Sequence, residues 1–199
     1  RTYRTSGIAE VQQVHAESLQ HLGALKQELQ KEWPGLMLSY GDTPTASLMA
    51  DFGPVDELRP GNLVFYDLMQ QAVGSCDFSD IAVAMVCPVV ARYEARKELV
   101  LYGGAVHFSK DALQDTEKGT IFGRVVDYGA EGWGDPYPDV YLTRLSQEHG
   151  IVRAPEGFIR ETRVGDLLLV LPVHSCLTAD LMPGYVTLTC QRIPKMSKR

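Results

Sequence analysis

The sequence after Asp77 constrains the fold most, because it is a succession of short strand-like runs and shows no clear helix. Each run is rich in Val, Leu, Ile or Tyr, and glycine, proline or polar turns separate it from the next, as in strands joined by hairpins and loops. The runs are IAVAMVCPVVARY, KELVLYGG, GTIFGRVVDYG, DVYLTRL, DLLLVLPVHSC and GYVTLTCQRI. We therefore predict an all-β domain over residues 76–199.

The residues up to Ser75 follow a different pattern, in which helical and strand-like segments alternate. Apolar residues recur at three- and four-residue steps over residues 8–32, which is typical of an amphipathic helix, and Ser6 is a candidate N-cap. The segments that follow read as strand, helix, strand and helix: LMLSY, TASLMADF, ELRPGNLVFYD and LMQQAV. Such alternation is typical of α/β folds, so we predict part of an α/β domain over residues 1–75.

Composition and charge narrow the class of protein. The chain has 199 residues, 45% of them hydrophobic, and 19 Lys and Arg against 25 Asp and Glu give a net charge of −6. Because the charges are scattered, we expect no nucleic-acid partner. No apolar run approaches the ~20 residues of a membrane span, so we expect no membrane association. The four cysteines form no CxxC pair and no secretory signal is recognisable, which favours the cytoplasm.

Two loops offer groups that suit a phosphate. LSYGDTPTAS leaves a strand-like run with Gly41, Thr43 and further hydroxyls just before a candidate helix, where free N–H groups and the helix dipole favour an anion. The motif alone favours a simpler alternative, in which Asp42 or Thr43 only caps that helix. The second loop carries Gly61 and Asn62 at the end of the next strand, and neighbouring strand-end loops of an α/β barrel share one mouth.

Three histidines are candidates for chemistry, and His174 with Cys176 is the sharpest case. On an extended strand, residues two apart point to the same face, and imidazole and thiolate are zinc-type ligands that would leave positions open for water or substrate. One such pair is more often part of a buried core. His149 beside Glu148 suits an acid–base pair or a solvated turn. His107 lies in a Gly-rich bend, where a structural role is favoured.

Taken in order, seven stretches resemble the fold-type III pyridoxal-phosphate (PLP) enzymes, within the D-threonine aldolase and D-serine dehydratase-like branch related to alanine racemase. They are RTSGI, LSYGDTPT, ELRPGNLVFYD, DIAVAMVCPVVAR, GGAVHFSKD, SQEHG and PVHSC. The resemblance implies the C-terminal part of a (β/α)8 barrel over residues 1–75, followed by a β domain over residues 76–199 and a homodimer. It agrees with the change of pattern near Ser75.

The resemblance also implies roles for single residues. The cradle of the PLP phosphate is matched by residues at two predicted strand ends: Ser39, Gly41, Thr43, Gly61 and Asn62. Tyr66 lies near that cradle, and Arg59 falls where racemases place an arginine facing the pyridine nitrogen, a position that varies in the aldolase and dehydratase branch. His174 and Cys176 match the pair that binds a divalent metal in this branch, and a thiolate favours zinc. His149 is the candidate acid–base residue.

The function implied by the resemblance is that of a metal-assisted, PLP-dependent lyase acting on small D-β-hydroxy amino acids. The cofactor would serve as the electron sink, and a metal on His174 and Cys176 would act as a Lewis acid at the substrate hydroxyl. The resemblance associates His-x-Cys with dehydratases and His-x-Asp with aldolases, which favours a dehydratase. An amino-acid racemase of the same fold and a non-catalytic binding or dimerisation module are the alternatives.

The lysine that holds PLP as a Schiff base in these enzymes has no counterpart in the sequence. Lys26 and Lys31 lie on the polar side of the first predicted helix, and the other lysines follow in the predicted β domain. The chain also begins at Arg1 without an initiator Met. We therefore expect this lysine in a preceding N-terminal barrel half, without which the chain would be incomplete and inactive.

Overall fold

The structure is a computed structural model and describes residues 2–5, 7–129 and 132–196. Helices and short strands alternate in its first part: α1 (Ile8–Leu29), β1 (Ser39–Tyr40), α2 (Thr43–Leu48), β2 (Glu57–Leu58) and α3 (Leu68–Ala72). A short 3-10 turn, Thr2–Arg4, precedes α1. The predicted N-cap Ser6 lies outside the described residues, and Gly7 stands at the N-cap position of α1.

Helix α1 confirms the predicted amphipathic helix, but only part of its apolar stripe is covered. Val11 and His15 are buried, whereas Ile8 and Leu25 are about half exposed. The His15 Nε2 donates to the carbonyl oxygen of Asp51 at 2.8 Å, which ties α1 to the loop between α2 and β2. Within the described part of the chain, no helix combines the length and apolar character needed to cross a membrane.

Strands β1 and β2 run parallel, with Ser39 opposite Glu57 and Tyr40 opposite Leu58. Helix α2 connects them, so that strand, helix and strand follow one another as the sequence predicts. Parallel pairing places the carboxyl ends of both strands at the same edge. The loops that follow β1 and β2 therefore lie side by side.

The second part is built mainly from strands. Their bounds are β3 (Met85–Tyr93), β4 (Glu98–Tyr102), β5 (Leu113–Asp115), β6 (Gly119–Ile121), β7 (Gly123–Val126), β8 (Tyr128–Gly129), β9 (Gly132–Trp133), β10 (Tyr141–Leu145), β11 (His149–Arg153), β12 (Leu167–Pro172), β13 (Gly184–Val186) and β14 (Arg192–Pro194). Six of them close into a barrel in the order β10-β11-β4-β3-β12-β7, and every pair in it is antiparallel. The pairs β5–β6, β8–β9 and β13–β14 form separate two-stranded sheets.

The barrel closes around an apolar core. Side chains alternate along each strand, so that Leu99 and Leu101 of β4 point inward while Tyr102 is exposed. They pack in one cluster with Cys87, Val89, Phe108, Val125, Val140, Leu142, Val152, Ile159 and Val170. At Gly150 of β11 an added Cβ would lie 2.6 Å from the carbonyl oxygen of Gly103, so the approach of β4 and β11 requires glycine there.

Three short α-helices lie between the strands in the described residues: α4 (Ala105–Phe108), α5 (Glu156–Glu161) and α6 (Ser175–Leu181). The predicted absence of helices after Asp77 is wrong, because segments of 4 to 7 residues are too short to show a helical period. The predicted strand through His174 and Cys176 is wrong as well. Strand β12 ends at Pro172, His174 is the N-cap of α6, and Cys176 lies in the first turn of that helix.

Candidate functional site

The two parts of the chain meet where α3 approaches the start of α6. The backbone N–H of Met69 donates to the carbonyl oxygen of Val173 at 3.3 Å. The buried carboxylate of Asp67 accepts the N–H of Ser175 at 3.1 Å and caps α3 by accepting the N–H of Gln70 at 2.9 Å. One carboxylate thus fixes the N-terminal ends of α3 and α6 relative to each other. Burial disfavours its charged form and raises the pKa of Asp67.

Asn62 joins the predicted phosphate loops to the predicted metal pair. Its backbone N–H donates to the Thr43 hydroxyl at 2.9 Å, and its Nδ2 donates to Asp67 at 2.6 Å. Its Oδ1 accepts the thiol of Cys176 at 3.3 Å. These residues therefore form one hydrogen-bonded group. Because these three groups of Asn62 are occupied by protein partners, its predicted bond to a phosphate stays a prediction.

His174 and Cys176 differ in how their surroundings tune them. The Nδ1 of His174 lies 2.6 Å from the carboxylate of Asp111. A carboxylate oxygen accepts hydrogen bonds, so this contact favours a proton on Nδ1, and in a neutral imidazole the lone pair then lies on Nε2. Burial, together with the negative charge of Asp67, raises the pKa of the half-buried Cys176 thiol, which favours its protonated form at neutral pH.

The donors at this point suit an open metal site better than a closed one. In residues 2–5, 7–129 and 132–196, no three His, Cys, Asp or Glu side chains converge where they could hold one ion. The set at the start of α6 is one imidazole nitrogen and one sulfur. A tetrahedral ion on two such ligands keeps positions open for water or substrate, as catalytic zinc does and structural zinc does not.

The ends of β1 and β2 bring several predicted cofactor residues together. The Arg59 Nε donates to the Ser39 hydroxyl at 2.6 Å, and that hydroxyl bonds the carboxylate of Glu57. A Cβ at Gly41 would lie 2.8 Å from the carbonyl oxygen of Arg59, so Gly41 permits the close approach of the two loops. Gly61 is exposed, with open space around its Cα. The contact of Arg59 with a pyridine nitrogen stays a prediction, since its described partner is Ser39.

Helix α2 begins with the capping arrangement that the motif alone favours. Asp42 is the N-cap and accepts the backbone N–H of Thr45 at 2.8 Å. A carboxylate therefore occupies the N-terminus of α2, where an anion would otherwise bind. The buried hydroxyl of Thr45, by contrast, has no hydrogen-bond partner in the part of the chain that the structure describes. A phosphate oxygen or a bound water would satisfy it, so the loop fits a phosphate through hydroxyls rather than through the helix end.

Two tyrosines border these loops, and the sequence motifs indicate only one of them. Tyr66 has a left-handed backbone with φ of 46°, and its hydroxyl lies 2.9 Å from that of Ser47. Non-glycine residues in this strained region cluster at functional sites. Tyr3 bonds the side chain of Thr43, while burial and, after it, the charge of Asp67 raise the pKa of its phenol. Tyr3 stands beside the motif RTSGI, which gave no reason to single it out.

Asp111 is the second residue that sequence reasoning missed. It ends the stretch GGAVHFSKD, in which His107 attracted attention as an ionisable group. The Nδ1 of His107 accepts the N–H of Gly104 at 3.1 Å, in keeping with the structural role favoured for it. Asp111 bonds His174, which lies 63 residues further along the chain. No local pattern reports a contact over that separation.

His149 lies in a different environment. It is exposed at the start of β11, opposite Tyr102 of β4. Its ring centroid is 5.9 Å from that of Tyr102, which also packs 5.1 Å from the ring of His107. The hydrogen bonds and ring contacts described for His149 include none to His174 or Cys176, so its role as an acid–base residue stays a prediction.

Comparison with curated proteins identifies the family. The family described as "putative serine dehydratase domain" matches residues 82–188. D-serine dehydratase of Dictyostelium discoideum is 31% identical over an alignment of 157 residues that covers 74% of this chain and 38% of that protein. D-threo-3-hydroxyaspartate dehydratase of Delftia sp. (strain HT23) is 31% identical over an alignment of 161 residues that covers 78% of this chain and 41% of that protein. The chain thus spans about two fifths of the length of these relatives.

Solved structures show the same fold in longer proteins. A variant of D-threo-3-hydroxyaspartate dehydratase with a histidine replaced by alanine matches with a TM-score of 0.83 at 23% identity, over 100% of this chain and 53% of that one. In a second variant, a cysteine two positions further along is replaced by alanine, and this structure is described as the metal-free form.

Two further solved structures of related architecture match as well. An alanine racemase-like protein from Idiomarina loihiensis has a TM-score of 0.69 at 27% identity, over 84% of this chain and 45% of that one. D-threonine aldolase from Filomicrobium marinum has a TM-score of 0.74 at 18% identity, over 97% of this chain and 50% of that one. The family match covers more than half of the 199 residues. This chain therefore belongs to the family described as putative serine dehydratase domain, in the fold-type III pyridoxal-phosphate branch.

Proposed function

We propose that this chain supplies part of the active site of a PLP-dependent lyase that removes the hydroxyl group of small D-β-hydroxy amino acids. The observation that carries the proposal is the position of Asn62, which bonds Thr43 on one side and Cys176 on the other. A cofactor whose phosphate is held near Thr43 and a metal held by Cys176 would lie close enough to act on one substrate. The dehydratases among its relatives support this reaction over aldol cleavage.

The α/β part fits a larger barrel. Parallel strands occur almost only in sheets covered by helices on both faces, whereas β2 here has one neighbour and both of its residues are exposed. We propose that residues 1–75 are the end of a (β/α)8 barrel and residues 76–199 a separate β domain. The Schiff-base lysine would lie in the portion of the longer relatives that this chain does not match, and the whole protein would act as a homodimer.

When bound, PLP supplies an electron sink for charge that develops at the substrate Cα. The residues of this chain would hold and orient its phosphate. The unpartnered hydroxyl of Thr45 would donate to a phosphate oxygen, and Gly41 would let the two loops close on it. Tyr66, held by Ser47 in its left-handed conformation, would border the same space. Asp67 would keep Asn62, and through it the Thr43 loop, in a fixed position.

The metal would be held by Nε2 of His174 and the sulfur of Cys176, and zinc is the ion that this donor pair favours. It would supply a Lewis acid for the departing hydroxyl. The two alanine variants of D-threo-3-hydroxyaspartate dehydratase support the assignment, because their histidine and cysteine stand two positions apart as His174 and Cys176 do. Cation binding would also favour the thiolate of Cys176 over the thiol that its surroundings now stabilise.

Elemental analysis of the purified full-length protein tests the metal assignment. We expect bound zinc in the wild type and in the controls His21→Ala and Cys190→Ala, which remove the same side chains at exposed positions. His174→Ala and Cys176→Ala should lose it. Unchanged zinc in both site variants would refute the metal site.

The reaction is tested on the same full-length protein. A D-β-hydroxy amino acid should yield a 2-oxo acid and ammonia, and the rate should fall in the site variants but not in the two controls. Formation of glycine and an aldehyde instead would mark an aldolase, and formation of the L-enantiomer would mark a racemase.

A further inference from the structure

The imidazole of His174 is held by a carboxylate to which the roles described above assign no function. We propose that Asp111 is a positioning residue of the metal pair: its bond to Nδ1 fixes both the orientation and the tautomer of His174, so that Nε2 is the nitrogen offered to the ion. The inference rests on the metal assignment made under the proposed function, and not on the identity of the substrate.

The chemistry of the contact sets the tautomer. The distance of 2.6 Å between Nδ1 and the Asp111 oxygen is short, as charge-assisted hydrogen bonds are. A neutral imidazole has one donor and one acceptor nitrogen, and without a partner it can carry its proton on either. With Asp111 accepting from Nδ1, the acceptor is Nε2. Metal-binding histidines commonly donate their second ring nitrogen to a carboxylate, which also makes the ligand nitrogen more basic.

Asp111 is held in place by bonds that do not involve His174. Its backbone N–H donates to the hydroxyl of Ser109 at 3.2 Å, and Ser109 turns the chain with φ of 68° directly after α4. The Thr178 hydroxyl of α6 donates to the carbonyl oxygen of Phe108 at 3.3 Å. The segment that carries Asp111 is therefore attached to the helix that carries Cys176, and the carboxylate is in place before any ion arrives.

Folding stability accounts for only a small part of this contact. The side chains of His174 and Asp111 are 26% and 38% exposed. Ion pairs that are in contact with solvent contribute modestly to folding. A partly exposed imidazole held at one nitrogen by a carboxylate, two residues from a cysteine, is instead the arrangement common among metal-binding histidines.

The first test reads the tautomer in the metal-free full-length protein. The chain has five histidines, and a His174→Ala spectrum identifies the His174 signals after 15N-histidine labelling. At about pH 9, above the ~6.5 of an ordinary imidazole, we expect the proton on Nδ1 in the wild type. Asp111→Ala should shift it toward Nε2. Asp111→Asn should keep it on Nδ1, because the amide oxygen still accepts.

The second test measures affinity for Co²⁺ and Zn²⁺ by titration against a chelator. Loss of such a supporting bond lowers metal affinity by roughly 10–100-fold, so we expect that loss in Asp111→Ala and a smaller one in Asp111→Asn. Glu117→Gln is the matched control: it removes one exposed carboxylate from the neighbouring β5–β6 turn and should change neither the tautomer nor the affinity. A circular dichroism spectrum establishes that each variant is folded.

The outcomes separate the two proposals. An unchanged tautomer in Asp111→Ala, or an affinity equal to that of the wild type, overturns the role of Asp111. A shifted tautomer in a protein whose wild type binds neither ion supports the positioning of the ring by Asp111 and refutes the metal assignment. A shifted tautomer together with weaker binding supports both.

Discussion

The six-stranded barrel and the β1–β2 pair are both built from short strands, yet they are stabilised differently. Every strand of the barrel has two neighbours, and Leu99, Leu101 and Leu142 inside it are fully buried. Strands β1 and β2 have one neighbour each, and both residues of β2 are exposed. The barrel therefore completes its own hydrogen bonding and core, whereas the parallel pair is covered only in part, by contacts such as that of Tyr40 with His15 of α1.

The candidate site draws on both regions, and the contrast explains the division of roles in it. Helix α6 directly follows β12 of the barrel, so His174 and Cys176 start from a well-packed strand. Thr43 and Asn62 lie on loops of the less covered α/β part. Asn62 and Asp67 join the two by hydrogen bonds to Cys176 and Ser175. We expect the metal pair to be the more firmly fixed half of the site.

The largest expected loss of stability comes from a cavity in the barrel core. Leu101→Ala removes a fully buried side chain, and such a change lowers the free energy of unfolding by about 2–5 kcal/mol. The matched substitution in the α/β part is Leu25→Ala in α1, where the side chain is 53% exposed and the change should stay within about 0.5 kcal/mol. Urea unfolding followed by circular dichroism measures both. Equal losses would show that the barrel is not the better packed region.

A smaller effect tests the close approach of β4 and β11. In Gly150→Ala the new methyl group would lie 2.6 Å from the Gly103 carbonyl oxygen and 2.6 Å from a methyl carbon of Leu142. Forcing extra atoms into a packed core costs about 1–3 kcal/mol. Gly157→Ala is the control, since α5 has open space there and alanine favours a helix by roughly 0.5–1 kcal/mol. Opposite signs in urea unfolding are expected, and two losses of similar size would contradict the steric explanation.

The sequence predicts those parts of the molecule in which a local pattern is long enough to repeat. Helix α1 and the barrel strands β3, β4, β10 and β12 lie within the predicted segments. The proximity of Thr43 and Asn62 also follows from the sequence, because two successive parallel strands place their end loops together. In each case the physical cause is a periodicity or a connection rule that acts over neighbouring residues.

The sequence does not predict contacts made by a few distant residues. The helix that carries Cys176 has only 7 residues, and its first ones continue the apolar run of β12, so the pair reads as a strand. Asp111 contacts His174, and Tyr3 contacts Thr43, only because the fold brings distant parts of the chain together. The strand-based reason for pairing His174 with Cys176 therefore does not hold, since side chains at i and i+2 share a face on a strand and not on a helix, and their role as metal ligands stays a prediction.

The smallest expected change in stability concerns the contact of α1 with the segment between α2 and β2. Asp56 accepts the N–H of Leu38 at 2.7 Å and bonds the ammonium group of Lys26. The hydrogen bond from the backbone, and after it the hydrogen bond from Lys26, lower the pKa of this exposed carboxyl.

A lowered pKa means that Asp56 stabilises the fold above its unfolded pKa and ceases to do so as the pH falls through its folded pKa. Asp56→Asn should therefore weaken the protein slightly at pH ~7 and by less at pH ~2, which lies below the ~3.9 of an ordinary aspartate. Glu32→Gln is the control for net charge, because it removes one exposed carboxylate just after the end of α1. Urea unfolding at both pH values decides the matter: a difference that is undiminished at low pH would mean that the carboxylate charge is not what ties α1 to the parallel pair.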